Sequence, residues 1–348
     1  MSAQERKILY IALSICLALL VGYTTYLFFA WRMPITRSEV LLQIKKGESL
    51  KGITRNLQAK NVTFTNRSAL ILLARIRGQD HRIKIGEYRL SSGINSWQFL
   101  NTITSGRTIQ YPVTLIEGWT FKEFLHKLHN TPKLKATLKG LTQRQVMQKL
   151  GYPGQHPEGR FFPDTYHFAS GVDDAAILRQ AYRKMSKNLH KLWSERDTSI
   201  PIKTPYEALI LASIIEKETG KASERRTISA VFTNRLRIGM RLQTDPTVIY
   251  GMGKKYDGNI RLKDLRTDTP YNTYTRYGLP PTPIAMPSRE SIYAALHPND
   301  SKAIYFVGRG DGSHQFSRTL REHNKAVIKY QLGGRPRSFS PRAGKKRK

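Results

Sequence analysis

The chain reads as an α+β protein built from an N-terminal transmembrane helix, a small strand-helix-helix-strand module and a larger mixed α+β domain. Three observations predict this. Ile8 to Trp31 carries no charged residue, enough apolar length to cross the roughly 30 Å hydrocarbon core of a bilayer. Short apolar runs, punctuated by glycine, occur between residues 40 and 118 and read as strands. Beyond residue 175, long stretches carry apolar residues at helical spacing, with start and stop signals at their ends.

Taken in order, residues 8–31 form the anchor. The stretch exceeds the roughly 7–15 residues of a signal-peptide h-region and no clear A-x-A site follows, so an uncleaved span is favoured over a cleaved leader. Arg6 and Lys7 precede it, while Arg32, Arg37, Lys45 and Lys46 follow. Charge bias alone therefore does not orient it. The single cysteine, Cys16, lies inside this segment, leaving the remainder without thiols, which suits an oxidising compartment without proving one.

Residues 40–108 form the small module. Val40 to Ile44 is a short apolar run, Lys46-Gly47-Glu48-Ser49 supplies a turn and an N-cap, and Leu50, Ile53 and Leu57 follow at helical spacing. A second helix is expected from Ser68 to Arg77, and Ile85 to Leu90 alternates like a strand. The module holds no acid/base cluster and points to binding or positioning. Ile109 to Gly118 is expected as a strand and Trp119 to Leu128 as a helix. The basic stretch Thr131 to Pro157 discloses no role. Glu158 to Tyr166, EGRFFPDTY, is turn-rich and aromatic; its rings suit a sugar groove or the core equally.

Helices are expected over Ala175 to Trp193 and Pro205 to Thr219. The second is apolar almost all round from Ala208 to Ile215, which predicts burial. Ser223 and Glu224 read as the start of another helix reaching Arg237, ended by Gly239. Glu224 and Arg225 there are expected to cap and pair rather than touch a substrate. The tail, residues 332–348, has seven basic residues and no acidic one and is expected to be disordered.

Lys and Arg number 58 against 25 Asp and Glu, a net charge of +33. Such a surface attracts a polyanion: nucleic acid, anionic lipid or an acidic cell-surface polymer. No zinc-finger spacing or other convincing nucleic-acid motif supports the first. Metal chemistry fits poorly, because His297, His314 and His323 lack compact ligand spacing and no cysteine assists them. A serine triad fits poorly too, since there is no G-x-S-x-G elbow.

What remains is Glu216 and Glu218 at the end of the apolar helix. A carboxyl at the edge of a core has a raised pKa and can act as a general acid near neutral pH. Two residues apart on a helix, the pair points in different directions and forms no close dyad. Leu209 and Ala212 share a stripe with Glu216, and Leu211 and Ile215 share one with Glu218, so periodicity leaves the choice even. The alternative is that both are ordinary helix-end charges paired with Lys217, Lys221 or Arg225. Against it stands the polar and aromatic density downstream: Gln243, Thr244, Asp245, Tyr250, Tyr271, Asn272, Tyr274 and His314. Such groups suit sugar hydroxyls, acetamido groups and pyranose faces.

Several ordered runs resemble one family over nearly the whole chain. They are Ala212 to Thr219 (ASIIEKET), Asn234-Arg235-Leu236, Met240 to Gly251 (MRLQTDPTVIYG), Tyr271 to Tyr274 (YNTY) and Gly278 to Pro281 (GLPP). Together they are similar to the endolytic murein transglycosylases, the YceG-like (MltG) family. The resemblance implies a LysM-like subdomain over 40–108 and a YceG-like catalytic domain over 109–331. It also implies a single-pass bacterial inner-membrane protein, with residues 1–7 in the cytoplasm and the bulk in the periplasm. It selects Glu218, the second glutamate of the Glu-Lys-Glu motif, as the catalytic acid.

The activity so implied is cleavage of the β-1,4 bond between N-acetylmuramic acid and N-acetylglucosamine inside nascent glycan strands. It yields 1,6-anhydro ends and terminates strand growth. Gln243, Asn272 and Tyr274 are expected to position the sugars, while Asp245 serves either substrate or neighbouring side chains. No cofactor or metal is implied. The partners implied are peptidoglycan strands, peptidoglycan synthases and the membrane, with no nucleic acid. Two other readings are a non-catalytic wall-binding or scaffold protein and a membrane-anchored nucleic-acid binder.

Overall fold

The computed structural model describes residues 2–333 apart from 61, 63 and 65. Of the basic tail at 332–348, residues 334–348 lie outside the described residues. The chain divides into two compact units: Met1–Pro112 with Pro132–Lys135 and His167–Asp173, and Val113–Thr131 with Ala136–Tyr166 and everything from Asp174 onward.

In the first unit, α1 (Ala3–Arg32) begins with a capping box between Ser2 and Glu5. It is the one described helix long and apolar enough to cross a membrane. Only Leu27 and Ala30 on it are buried, beside α3 (Arg67–Ile76) and α4 (Ser96–Ser105). The Trp31 indole N–H donates to the Ala69 carbonyl at 2.9 Å. Between these helices run β1 (Val40–Ile44), α2 (Leu50–Gln58) and β2 (Gly86–Leu90). The strands pair antiparallel from Val40↔Leu90 to Ile44↔Gly86.

The expected order strand, helix, helix, strand is present, and α4 extends it. Asn95 and Gln98 form the α4 capping box, and Phe99, Leu100 and Ile103 bury one face. Three apolar anchors among polar neighbours gave too weak a period to single this helix out. The core is a cluster including Leu42, Ile53, Leu57, Leu70, Tyr88 and Phe99. Glu87, almost buried, accepts from the Lys133 ammonium at 2.7 Å and from the Tyr111 hydroxyl, and these donors hold its carboxyl below the usual range.

The strand expected over residues 109–118 is the shorter β3 (Gln110–Leu115), which pairs with β4 (Asp164–Ala169). The second unit continues with α5 (Phe121–His129), α6 (Gln143–Leu150), α7 (Asp174–Ser194), α8 (Pro205–Glu218), α9 (Arg225–Arg237), α10 (Asp245–Met252), α11 (Leu262–Arg266) and α12 (Arg289–Leu296). It closes with the antiparallel hairpin β5 (Tyr305–Gly308) and β6 (His314–Ser317), followed by α13 (Leu320–Tyr330).

Helix α8 is the centre of this unit. Thr204 and Glu207 form its capping box and Pro205 occupies the first turn, where the missing N–H costs nothing. Every residue from Ala208 to Ile215 is buried, with α7, α9, α10 and α12 packed around it. A helix sheathed on all sides needs no polar face, which explains a run whose one polar side chain, Ser213, is itself buried and bonded, donating to the Ile210 carbonyl at 2.7 Å and accepting from the Ile284 N–H at 3.0 Å. Charged side chains resume at Glu216, where α8 leaves the core.

The aromatic segment after Glu158 is core rather than an exposed sugar platform. Phe161 is buried and stacks on Phe121 with centroids 5.1 Å apart, and the Tyr166 hydroxyl donates to the Phe162 carbonyl at 2.6 Å. Turn residues open the segment because the chain must reverse at Gly159. There φ is +76°, and a Cβ would fall 2.5 Å from both Cβ and Cγ of Pro283. Only glycine fits such a position.

Candidate active site

The two glutamates at the end of α8 separate cleanly. Glu216 accepts from the backbone N–H of Ser288 at 2.9 Å and from the Ser288 hydroxyl. Ser288 is itself the N-cap of α12 and accepts from the Ser291 N–H at 3.2 Å. Glu216 therefore fastens one helix to the start of another. Its carboxylate meets the positive end of α12, where negative charge is favoured.

Glu218 has the opposite surroundings. It is half-buried at the last position of α8, and burial pushes its carboxyl up to about 7. The Thr244 hydroxyl donates to its Oε1 and opposes that rise, Asp245 reinforces it, and His314 and Arg235 oppose it. Near neutral pH the group holds a proton part of the time, as a general acid must.

The support for Thr244 is a small threonine cluster. The Thr244 N–H donates to Thr273 Oγ1 at 3.1 Å, the Thr247 hydroxyl to the Thr244 carbonyl at 2.8 Å, and Thr247 and Thr273 share a 2.9 Å hydroxyl contact. All three threonines are buried. With its backbone and neighbours committed, Thr244 offers its own hydroxyl to Glu218 in a fixed direction.

Glu218 opens on two adjoining clefts. One, of ≈ 330 Å³, is lined by Glu218, Gln243, Asp245, Tyr274 and His314 among others. The other, of ≈ 390 Å³, is bounded by Glu218 to Gly220 and by the Gly-rich turn that carries Gly308, Gly310, Gly312 and His314. Four glycines in that wall, Gly220, Gly308, Gly310 and Gly312, leave room for a bulky, hydroxyl-rich ligand against backbone.

These relationships agree with what the chain resembles. A model of the YceG-like family matches residues 42–329. The chain belongs to the YceG-like family. An endolytic murein transglycosylase of Bacillus subtilis is 30% identical over 312 residues, which cover 85% of this chain and 86% of that protein. One of Streptococcus pneumoniae is 32% identical over 181 residues, half of this chain and 32% of the longer pneumococcal protein. Among solved structures, a YceG-like protein of Listeria monocytogenes superposes with a TM-score of 0.53 at 31% identity. That match covers 83% of this chain and 99% of the Listeria chain.

The other sequence-expected site residues of this YceG-like chain fare differently. Gln243 lines the cleft with an exposed side chain and a φ of +50°, and its N–H donates to the Thr273 carbonyl at 3.1 Å. Tyr274 lines the same cleft, and its hydroxyl donates to Asp245 Oδ1 at 2.6 Å. Burial first, then Asp245, pushes the phenol up, so it stays a donor. The alternative duties considered for Asp245 meet here, because the carboxylate lines the cleft and orients Tyr274 at once.

Asn272 departs from expectation. Its side-chain amide donates to the carbonyls of Asp264, Leu265 and Thr267 at 3.2, 3.1 and 2.7 Å, and its Oδ1 accepts from the Tyr274 N–H at 2.9 Å. At 1% exposure, with donors and acceptor committed, it has nothing left to offer a sugar. It instead shapes the loop that presents Thr273 and Tyr274.

Glu224 also departs from the expected helix-start role. A 3-10 turn at Ala222–Glu224 precedes α9, and Glu224 makes no capping hydrogen bond there. Its carboxylate crosses to the β5–β6 hairpin, accepting from the His314 N–H at 3.1 Å and lying 2.7 Å from His314 Nδ1. No local pattern links positions 90 apart, so only the fold discloses this pair. A second buried carboxyl, Glu158, was likewise not singled out by sequence. It accepts from the Phe121 N–H at 2.8 Å and the Tyr250 hydroxyl at 3.0 Å.

Proposed function

We propose that this protein is a membrane-anchored lytic transglycosylase that cuts inside peptidoglycan glycan strands, with Glu218 as its acid. The observation that carries the reading is a glutamic acid raised to about 7, held by one fixed hydroxyl and facing a polar cleft. The activity for which the Bacillus and Streptococcus relatives are named, endolytic murein transglycosylation, supports the same reaction. Protonated Glu218 gives its proton to the glycosidic oxygen between N-acetylmuramic acid and N-acetylglucosamine as an oxocarbenium-like centre develops at C1. The muramoyl C6 hydroxyl then closes on C1, giving a 1,6-anhydro end. Most glycosidases need a second carboxylate to activate water; here the internal hydroxyl takes the place of water.

Gln243, Tyr274 and Asp245 position the sugars in this scheme. Helix α1 anchors the chain in the bacterial inner membrane with the bulk in the periplasm. The LysM-like reading of residues 40–108 assigns that module to strand binding. The net charge of +33 suits a polymer whose stem peptides and lactyl groups carry carboxylates, and synthases that extend the strands are the natural neighbours.

The test is mass spectrometry of products from purified glycan strands incubated with the detergent-solubilised full chain, wild type beside Glu218→Gln. Fragments ending in 1,6-anhydromuramic acid, absent with the variant, are expected. Ends one water heavier mean a hydrolase. Strand binding by folded wild type without cleavage supports a scaffold instead.

A further inference from the structure

His314 lines both of the clefts that Glu218 lines, Glu224 stands behind it, and the pair has no part in the one-carboxyl scheme. Both side chains are nearly buried, with 12% and 15% exposure. Glu224 holds His314 at two points, the backbone N–H and Nδ1. The imidazole is further fixed edge-on to Phe306, with centroids 5.4 Å apart, and lies beside Phe316. On the hairpin His314 pairs with Gly308, whose missing side chain leaves open space at the Cβ position.

A carboxylate only accepts hydrogen bonds, so Glu224 selects the tautomer with the proton on Nδ1 and leaves Nε2 as the free nitrogen. Nε2 has no hydrogen-bond partner among the described residues. The other ionisable groups lining the clefts are Glu218, Asp245, Tyr274, Arg235 and His323. The Arg235 guanidinium is spent on the carbonyls of Leu242 and Ile304, at 2.6 and 2.7 Å. Asp245 and Tyr274 are tied to each other, and His323 stacks on Tyr305 with centroids 5.1 Å apart and lines only one of the two clefts, whereas His314 lines both, as Glu218 does. His314 is thus the group best placed beside Glu218 to take a proton and return it.

We propose that His314, oriented by Glu224, is a second catalytic residue: the base for the muramoyl C6 hydroxyl. The inference rests on the lytic reading given above. Glu218 protonates the leaving oxygen as the C1–O bond breaks. The O6–C1 bond then forms, and the O6 proton passes to His314 Nε2. Glu224 balances the imidazolium charge, as carboxylates do behind histidine bases. The proton returns to the Glu218 carboxylate, and neither water nor a redox partner is consumed. Dividing the two transfers places the base near O6 while the acid stays at the leaving oxygen, which spares Glu218 a change of position in mid-reaction.

The test compares wild type, Glu218→Gln, His314→Ala and Glu224→Gln as full chains in detergent on purified glycan strands. Turnover is read together with the ratio of 1,6-anhydro to hydrated ends. His314→Ala is expected to lose roughly 10²-fold in turnover and to shift its remaining products toward hydrated ends, because water competes better when the C6 hydroxyl has no base. Added imidazole is expected to restore anhydro ends to His314→Ala but not to Glu218→Gln. Glu224→Gln, which keeps the shape of the pair, is expected to show the same shift more weakly, and it decides the matter if thermal unfolding shows that His314→Ala does not fold. Wild-type turnover and ratio in both variants overturn the proposal. So does a loss of turnover with an unchanged ratio and no rescue, which marks a purely structural pair. Failure of wild type to form anhydro ends overturns the lytic reading itself and is told apart by the wild-type arm.

Discussion

Glu158 and Glu218 are two glutamates of one unit that burial pushes to about the same value, near 7, yet their surroundings differ in kind. Glu158 is 2% exposed and both its oxygens are engaged, by the Phe121 N–H and the Tyr250 hydroxyl. Behind it the Tyr250 ring packs edge-on to Tyr271, and the Tyr271 hydroxyl meets that of Thr282 at 2.9 Å. Glu218 has one fixed donor and an open cleft. A raised pKa marks both positions as places where ionisation is costly, but only the carboxyl with access to a ligand can use its proton. Desolvation alone does not nominate a catalyst.

The sharpest way to break this contrast is to neutralise each carboxyl in turn. Glu218→Gln is expected to lower turnover on glycan strands by at least about 10³-fold, in the upper part of the range for a proton-transfer group because no other group serves the bond-breaking step. Glu158→Gln is expected to stay within several-fold of wild type. Product quantification by mass spectrometry decides between them, and a reversal of the two effects would exchange their roles.

Stability, unlike activity, does not separate the two groups, because both are raised from 4.5 to about 7. For Glu158 the folded value is raised from 4.5 to about 7, so the folded state holds the proton more tightly than the unfolded chain does. Its contribution is full below the unfolded value and is lost as pH rises through about 7. At about 1.4 kcal/mol per unit, the loss is on the order of 3 kcal/mol. Unfolding midpoints are therefore expected to fall between about pH 5 and 8, and Glu158→Gln to reduce that slope by about half, leaving the part that Glu218 contributes. A slope unchanged in the variant would mean that Glu158 is not held neutral.

The backbone under Glu158 supplies a smaller effect. Gly159→Ala forces a Cβ to within 2.5 Å of the Pro283 ring at a φ of +76°, and a rigid ring cannot swing away. The expected cost is about 2 kcal/mol, seen as a lowered unfolding temperature. A comparable change at Gly220, where nothing lies within 4 Å of the added carbon and φ is not positive, is expected to be nearly silent in stability.

How much of this was legible in the residues depends on the distance over which the information is stored. The burial of α8 was readable from Ala208 to Ile215, because a run apolar on nearly every side, with only Ser213 polar, admits only one environment. The choice between Glu216 and Glu218 was not, since each shares a helical stripe with apolar neighbours. What sets their surroundings apart is Ser288, 72 positions beyond Glu216, which engages the Glu216 carboxylate and leaves Glu218 facing the cleft. Asn272 was singled out for its chemistry, an amide in a polar run, and its neighbours consume that chemistry entirely. Glu224 and Glu158 were missed or misassigned for the converse reason, because their partners, His314 and Tyr250, come from distant segments that only the packing unites. Residue type announces what a side chain can do; the tertiary structure decides how much of that capacity is left over.

The smallest expected effect isolates the one hydrogen bond that tunes Glu218. Thr244→Val keeps the side-chain shape and removes the hydroxyl that donates to Oε1. That donor favours the ionised form, so its loss raises the Glu218 pKa further. A general acid works only while protonated, and activity falls as pH passes its pKa. The alkaline limb of kcat/KM is therefore expected to move upward, by about 0.5–1 pH unit for one charge-assisted hydrogen bond. The same measurement on Glu158→Gln is expected to leave the limb where it was, because the groups that shift each carboxyl do not include the other. A limb that moves downward in Thr244→Val would mean that the hydroxyl stabilises the neutral acid. A limb that moves in Glu158→Gln would mean that the two buried carboxyls are coupled through α10, which carries Asp245 at one end and Tyr250 near the other.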